Sequence, residues 1–281
     1  FAVAPTRADG KTLLAVNPHN PWEGPITWYE VHMRSEEGLD MIGGLFPASP
    51  IPFLGHNRYL GWALTLNKPD LIDVYALDIN PDNPRQYRFD GRWENFEVKT
   101  VPITVKLFGP VSVTSVQNLM WSKHGPVVRR KDGVYAVRYA GADEVRQVEQ
   151  WYRMNKARTF DEWMDALRMR AIPCFNVVYA DHEGTIYYVY NASIPVRAAG
   201  YDWSTCVPGT TSRTLWTDYV PFEQLPHVKN PSSGFIQNCN NSPFCTRIGD
   251  DNPREDDYLC YGIERRPMTN RARQALELFA T

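Results

Sequence analysis

Twenty-two prolines run through this chain. Each removes a backbone donor and resists a helix interior, so they argue for many loops and against long helices. The segments between them are short and rich in β-branched and aromatic residues, which favours strands. Phe1-Ala2-Val3 and Leu13–Val16 flank the turn Ala8-Asp9-Gly10-Lys11, an Asp-Gly hairpin signal. Ile26–Met33, Trp62–Leu66, Asp73–Ile79, Val98–Leu107 and Val134–Tyr139 read as further strands, with Asn80–Pro84 as a turn cluster.

Two helices follow. Asp143–Lys156 places Val145, Val148 and Tyr152 on one face. Thr159 and Glu162 form a capping box ahead of a core stripe of Phe160, Trp163, Met164 and Leu167. Phe175–Ala180 and Ile186–Tyr190 flank the turn Asp181–Gly184. A loop-rich segment spans Ile194–Ser233, Phe235–Asn240 reads as a short strand, and Asn270–Ala280 as a helix with Ala272, Ala275, Leu276 and Phe279 on one face. Strands, two helices and more strands predict an α+β fold. There is no internal repeat and no clear linker, and 281 residues suit one or two domains.

Charge and hydropathy exclude several functions. The net charge of −2 comes with no basic stripe, which argues against nucleic acid as a partner. No run of about 18 apolar residues and no basic amphipathic helix point to a membrane. The motifs of P-loops, zincins, dinucleotide-binding folds and nucleophile elbows are missing. The five cysteines, Cys174, Cys206, Cys239, Cys245 and Cys260, form no C-x-x-C pair, and their odd number leaves one thiol free or paired elsewhere. The chain begins at Phe1, as a processed product, a cut piece of a longer chain or one subunit of a split precursor would.

The informative polar residues stand at the ends of apolar runs. Asn17-Pro18-His19 follows Leu13–Val16, and Gln237-Asn238-Cys239-Asn240-Asn241 follows Phe235-Ile236. Amides there cost stability unless each finds a partner. They serve either as turn residues bonding nearby backbone or as a side-chain donor aimed at the oxygen of a tetrahedral intermediate.

With these residues in view, the chain resembles the penicillin acylase family, closest to its cephalosporin acylase and acyl-homoserine-lactone acylase branch. The resemblance rests on Phe1-Ala2-Val3-Ala4-Pro5, Leu14–His19, Gly55-His56-Asn57, Gly61-Trp62-Ala63-Leu64-Thr65, His124-Gly125-Pro126-Val127, Gly234–Pro243 and Asn270-Arg271-Ala272-Arg273. These stretches keep the family order along essentially the whole chain. The resemblance implies an N-terminal nucleophile hydrolase with an αββα layered sandwich, present in part. Residues 1–281 would be a single partial catalytic domain, the front half of the large subunit. Such enzymes hydrolyse linear N-acyl amides after a precursor cuts itself. The new N-terminal Ser attacks with its own α-amine as base, a group with a pKa of about 7.7–8.0 and so partly free at neutral pH. That Ser is expected about three residues before Phe1, where its amine needs no separate histidine. The chain as written is therefore expected to be inactive alone.

The resemblance also assigns roles within the chain. Asn240 matches the side-chain oxyanion donor, Leu66 the residue whose backbone N–H completes the hole, His19 a residue that holds the nucleophile, and Arg271 one that orients Asn240 and the amine. Trp22, Trp28, Phe53 and Leu66 are candidates to line the acyl pocket. Phe53 stands where glutaryl-specific members carry an arginine, so an aromatic or aliphatic acyl group is expected. No cofactor is expected for catalysis. A structural calcium ion is expected at Asp70, the Ile72 backbone, Asp73 and Asp251, since hard oxygen ligands suit it. Expected partners are the small subunit, the rest of the large subunit and a small N-acyl amide, in a periplasmic or secreted setting. The rival readings are a non-catalytic binding module, which would leave Asn240 and His19 in separate places, and a relative that has lost catalysis.

Overall fold

The computed structural model describes residues 1–263 and 268–280, with the side chain of Cys260 outside the description. Strands β1 (Ala2–Val3), β2 (Leu13–Leu14), β3 (Tyr29–Arg34), β4 (Asp40–Leu45), β5 (Leu54–His56) and β6 (Leu60–Thr65) come first. Next are β7 (Ile72–Leu77), β8 (Gln86–Phe89), β9 (Arg92–Asn95), β10 (Glu97–Phe108), β11 (Val111–Ser122), β12 (Gly125–Arg130) and β13 (Gly133–Tyr139). Helices α1 (Gln147–Lys156) and α2 (Phe160–Leu167) precede β14 (Cys174–Asp181), β15 (Ile186–Ala192), β16 (Val207–Pro208), β17 (His227–Lys229), β18 (Phe235–Ile236) and helix α3 (Asn270–Ala280). The chain separates into two compact units. One holds Phe1–Asp70, Asp143–Ile194 and Val220–Thr281, the other Leu71–Ala142 and Pro195–Tyr219.

The first unit is built in layers. A seven-stranded sheet of order β17-β15-β14-β6-β5-β4-β3 lies beside a three-stranded sheet of order β18-β1-β2. Strand alternation decides what each face meets. On the large sheet Trp62, Tyr179 and Tyr187 point to the helices, where Trp163 of α2 lies 4.7 Å from Tyr179 and 6.3 Å from Trp62, ring to ring. The opposite phase, including Ala63 and Val178, is buried in the same core as Ala2 and Ile236 of the small sheet. Val3 and Phe235, paired across the small sheet, take the outward phase, and Phe235 stacks on Phe279 of α3 at 4.4 Å. Helices, sheet, sheet and helix thus follow one another as expected. Gly61 lets the sheets close: a Cβ there would sit 2.9 Å from Leu14 Cδ2 and 2.8 Å from the Gly55 carbonyl.

The second unit carries a six-stranded sheet of order β10-β11-β12-β13-β7-β16 and the hairpin β8–β9. Its core gathers Tyr75, Leu77, Tyr87, Phe89, Phe96, Ala136 and Val207. Buried His124 lies 4.2 Å from the Tyr75 ring and 5.6 Å from Phe89. The hairpin β10–β11 extends from this sheet. β11 meets β12 only at its base, through Trp121 and Ser122.

Several elements differ from the sequence reading. Helix α1 starts at Gln147, and its buried face is Gln150, Trp151, Met154 and Asn155. Val145 is 87% exposed, and Val148 and Tyr152 also face outward. The helix instead buries two amides bonded to the interior: Gln150 Oε1 accepts from the Ile172 N–H, and Asn155 Nδ2 donates to the Pro52 carbonyl. The capping box is half realised. Thr159 Oγ1 accepts from the Glu162 N–H, but the Glu162 carboxylate accepts from Arg158, one residue ahead of the cap. Asn57, within one of the family-like stretches, donates to the Asn155 and Ala157 carbonyls and so satisfies the end of α1. The described cysteines Cys174, Cys206, Cys239 and Cys245 are free.

Candidate functional site

The small sheet brings the site together. Ala2 pairs with Ile236 and with Leu14, so β1 runs in the middle, with its Phe1 end beside the point where residues 237–241 leave β18. The β18 ladder stops at Ile236 because the amides take over. Gln237 donates its N–H to the Thr246 carbonyl and its Nε2 to the Cys245 carbonyl. Asn238 Oδ1 accepts from the Asn240 N–H at 2.9 Å and from Thr65 Oγ1, while its Nδ2 donates to the Asn241 carbonyl. Asn241 Oδ1 accepts from the Cys239 N–H. Gln237, Asn238 and Asn241 are buried, and they shape the turn.

Asn240 is the exception. The bond from its N–H to Asn238 is an Asx turn, and its φ of 63° lies in the left-handed region that Asn tolerates better than most residues. That backbone turns its exposed side chain out of the loop. Nδ2 donates to the Leu66 carbonyl at 3.0 Å, and Oδ1 accepts from Arg271 Nη2 at 3.0 Å. The amide orientation follows from its partners: a guanidinium only donates and a carbonyl only accepts. Arg271 sits in the first turn of α3, which is fixed by buried Ala272, by Phe279 against Phe1 and Phe235, and by Arg7 donating to the Phe279 carbonyl.

Among the described residues, two donors remain at this point. An amide NH₂ carries two hydrogens, and the Leu66 carbonyl takes one. Leu66 follows the last residue of β6, and among the described residues no acceptor pairs with its own N–H. Its side chain is 60% exposed. A free amide hydrogen and a free backbone hydrogen on bonded neighbours are the donor set that stabilises an oxyanion.

The remaining candidates divide. Residues Asn240, Leu66 and Arg271, far apart in sequence, are joined by hydrogen bonds. His19 stands exposed on the coil after β2, and among the described residues no hydrogen bond ties it to the other three. Trp28 and Phe53 are linked through Phe46 at 4.6 Å and 5.3 Å, and Phe53 meets Trp151 at 5.3 Å. Trp22 lies outside this row, 95% exposed. Sequence reasoning missed Phe46 and Trp151. It also missed Asn176 of β14, which donates to the Leu66 carbonyl. An amide inside the apolar run Phe175–Ala180 was the available signal. A groove of about 670 Å³ lined by Leu13, Leu14, His56, Tyr59 and His182 contains none of Leu66, Asn240 or Arg271.

Two of the carboxylates considered for calcium, Asp73 and Asp251, have protein partners. Asp73 Oδ2 accepts from Arg197 Nε at 2.9 Å and Trp216 Nε1 at 2.7 Å, while its Oδ1 is buried without a partner. Asp251 accepts from Ser232 and pairs with Arg247. Among the described residues no group of three or more His, Cys, Asp or Glu is placed to hold a metal ion. The donors on Asp73 and Asp251 are those of ion-paired carboxylates.

Comparison with known proteins adds to this geometry. A family model described as penicillin amidase matches residues 1–281. Penicillin G acylase of Escherichia coli is 31% identical over 240 residues, covering 84% of this chain and 27% of that protein. The acyl-homoserine lactone acylase PvdQ of Pseudomonas savastanoi pv. phaseolicola is 26% identical, covering 96% of this chain and 38% of that protein. The solved structure of thermostable penicillin G acylase from Alcaligenes faecalis matches with a TM-score of 0.81 at 25% identity, over 99% of this chain and 48% of that chain. The chain spans less than half the length of each of these proteins.

Proposed function

Because the chain belongs to the penicillin amidase family, we propose that it supplies the oxyanion hole of an acylase that hydrolyses linear N-acyl amides. The observation that carries this reading is the grip on Asn240. Arg271 and the Leu66 carbonyl hold the amide from both ends, and among the described residues the second Nδ2 hydrogen and the Leu66 N–H have no acceptor. The carbonyl oxygen of the scissile amide binds these two donors. As a nucleophile adds to the carbonyl carbon, the C=O electrons move onto the oxygen, and the charge is met by dipoles already in place. Arg271 polarises the Asn240 amide through Oδ1, strengthening the donor opposite.

The nucleophile belongs to the residues upstream of Phe1. The register of β1 against β18 supports this: a chain entering β1 passes Gln237–Asn241. A serine there, with its α-amine as base, needs no histidine. The 281-residue chain alone is then inactive, and its partners are a small subunit and the rest of the large subunit. His19 is assigned to holding the nucleophile. The row Trp28–Phe46–Phe53–Trp151 favours an aromatic or aliphatic acyl group over glutaryl. Assays on phenylacetyl, long-acyl lactone and glutaryl amides test this, and a glutaryl preference would overturn it. A periplasmic or secreted location and a bound calcium ion are further proposals, decided by fractionation and by metal analysis of the purified protein.

The decisive experiment is Asn240→Ala in the complete, processed protein. The expected result is a fall in kcat of about 100- to 1,000-fold with KM little changed. An unchanged kcat overturns the assignment. A residue other than Ser, Thr or Cys at the upstream position would rule out the mechanism.

A further inference from the structure

The Leu66 carbonyl has a second donor. Asn176 Nδ2 reaches it at 3.3 Å from the core side, while Asn240 reaches it from the exposed side. A carbonyl oxygen has two lone pairs, so both are taken. Asn176 is 1% exposed on β14, followed by the buried apolar run Val177–Ala180. Its Oδ1 accepts from the Tyr188 hydroxyl at 2.7 Å, and Tyr188 on β15 is fully buried. The two residues are diagonal neighbours on one face, since Asn176 pairs with Tyr190 and Tyr188 with Val178.

The direction of these bonds is fixed. The Leu66 carbonyl only accepts, so Asn176 turns Nδ2 to it and Oδ1 to Tyr188, and the phenol donates. Burial pushes the Tyr188 pKa well above its ordinary value, so the phenol remains a donor. A buried amide that lost this partner would carry an unmet acceptor and turn toward another conformation.

We propose that the buried Tyr188–Asn176 pair positions the oxyanion hole by locking the Leu66 carbonyl from inside the sheet. With the carbonyl fixed, the peptide group after Leu66 cannot rotate. The preceding N–H and the Asn240 amide docked on the same oxygen then keep their aim. Neither Tyr188 nor Asn176 touches substrate; they act through Leu66. This inference rests on the oxyanion reading of Leu66 and Asn240.

The test uses the complete, processed protein and a hydrolysable N-acyl amide. Tyr188→Phe removes one oxygen; Asn176→Asp replaces the donor to Leu66 with a carboxylate oxygen. Each is expected to lower kcat about tenfold or more, less than direct loss of a hole donor, with KM near the parent value. Affinity for a tetrahedral boronate adduct should fall in step with kcat, while affinity for the free acid product stays unchanged. Tyr187→Phe, on the same strand but facing the helices, should leave kcat unaltered. Unchanged kcat in folded Tyr188→Phe overturns the proposal, as does equal weakening of boronate and product binding. If Asn176→Asp does not fold, Tyr188→Phe decides alone. Should Asn240→Ala also leave kcat intact, the oxyanion reading itself falls; should Asn240→Ala lower it while Tyr188→Phe does not, only the positioning role does.

Discussion

Two long hairpins in this protein have the same backbone and opposite surroundings. In β14–β15 almost every residue is buried, alternating between aromatic rings that meet α2 and side chains that meet the small sheet. In β10–β11 almost every residue is exposed. There the alternation is internal to the ribbon: Ile103, Val105, Val113 and Leu119 share one face, while Thr100–Asn118 and Thr104–Thr114 bond across the other. A strand buried on both faces needs a nearly continuous apolar run, and one polar residue in it is conspicuous. An exposed ribbon can carry many polar residues, as at Ser115 and Gln117 beside Ile103, without any of them mattering to chemistry. That is why Asn176, and not Asn118, is the amide that touches the site.

The comparison can be broken most directly by truncating the packing on the buried hairpin. Trp163→Ala removes the ring that meets Tyr179, Tyr187 and Trp62, and should destabilise the protein by about 3–5 kcal/mol in urea unfolding. A loss below about 1 kcal/mol would mean that burial is not what separates the hairpins. Acid gives the next test, within the second unit. Burial pulls the His124 pKa from its ordinary 6.5 down to about 4. Between those values the unfolded chain binds more protons than the folded one, so stability should fall as pH drops through that window. His124→Gln should flatten this slope in pH-dependent unfolding. A smaller effect is expected at Thr104→Val, which breaks one cross-strand bond of the exposed ribbon, about 0.2–1 kcal/mol. Val113→Thr on its other face should cost less than about 0.5 kcal/mol. A larger loss there would show that something covers that face.

Much of this was legible in the sequence. The stripe of α2, the strands around Trp62 and Tyr188, and the pairing of β1 with β2 followed from periodicity and turn residues. Strands β4 and β5 were missed because Gly43, Gly44 and Gly55 give no β signal; they are there for close approach, since a Cβ on Gly43 would lie on the Leu54 carbonyl oxygen. The face of α1 was misread because its buried side includes Gln150 and Asn155, whose partners lie elsewhere in the sequence. The site shows the same limit. The cluster at 237–241 announced itself, but the turn-forming meaning describes Gln237, Asn238 and Asn241, while the proposed donor is Asn240, whose side chain leaves the loop. Only long-range bonds from Thr65, Leu66 and Arg271 separate the turn formers from Asn240. The exposed positions of His19 and Trp22 have no local signature either.

The short strand β1 has a consequence for any residue joined ahead of Phe1. Held between β18 and β2, it works as a ruler with a parity. Each added residue advances the chain by about 3.3 Å and swaps the side to which its side chain points. An extension of the right length delivers a reactive group to the loop at Gln237–Asn241, and one residue more or fewer turns that group to the opposite face. Cleavage of such an extension would therefore have to be accurate to a single peptide bond.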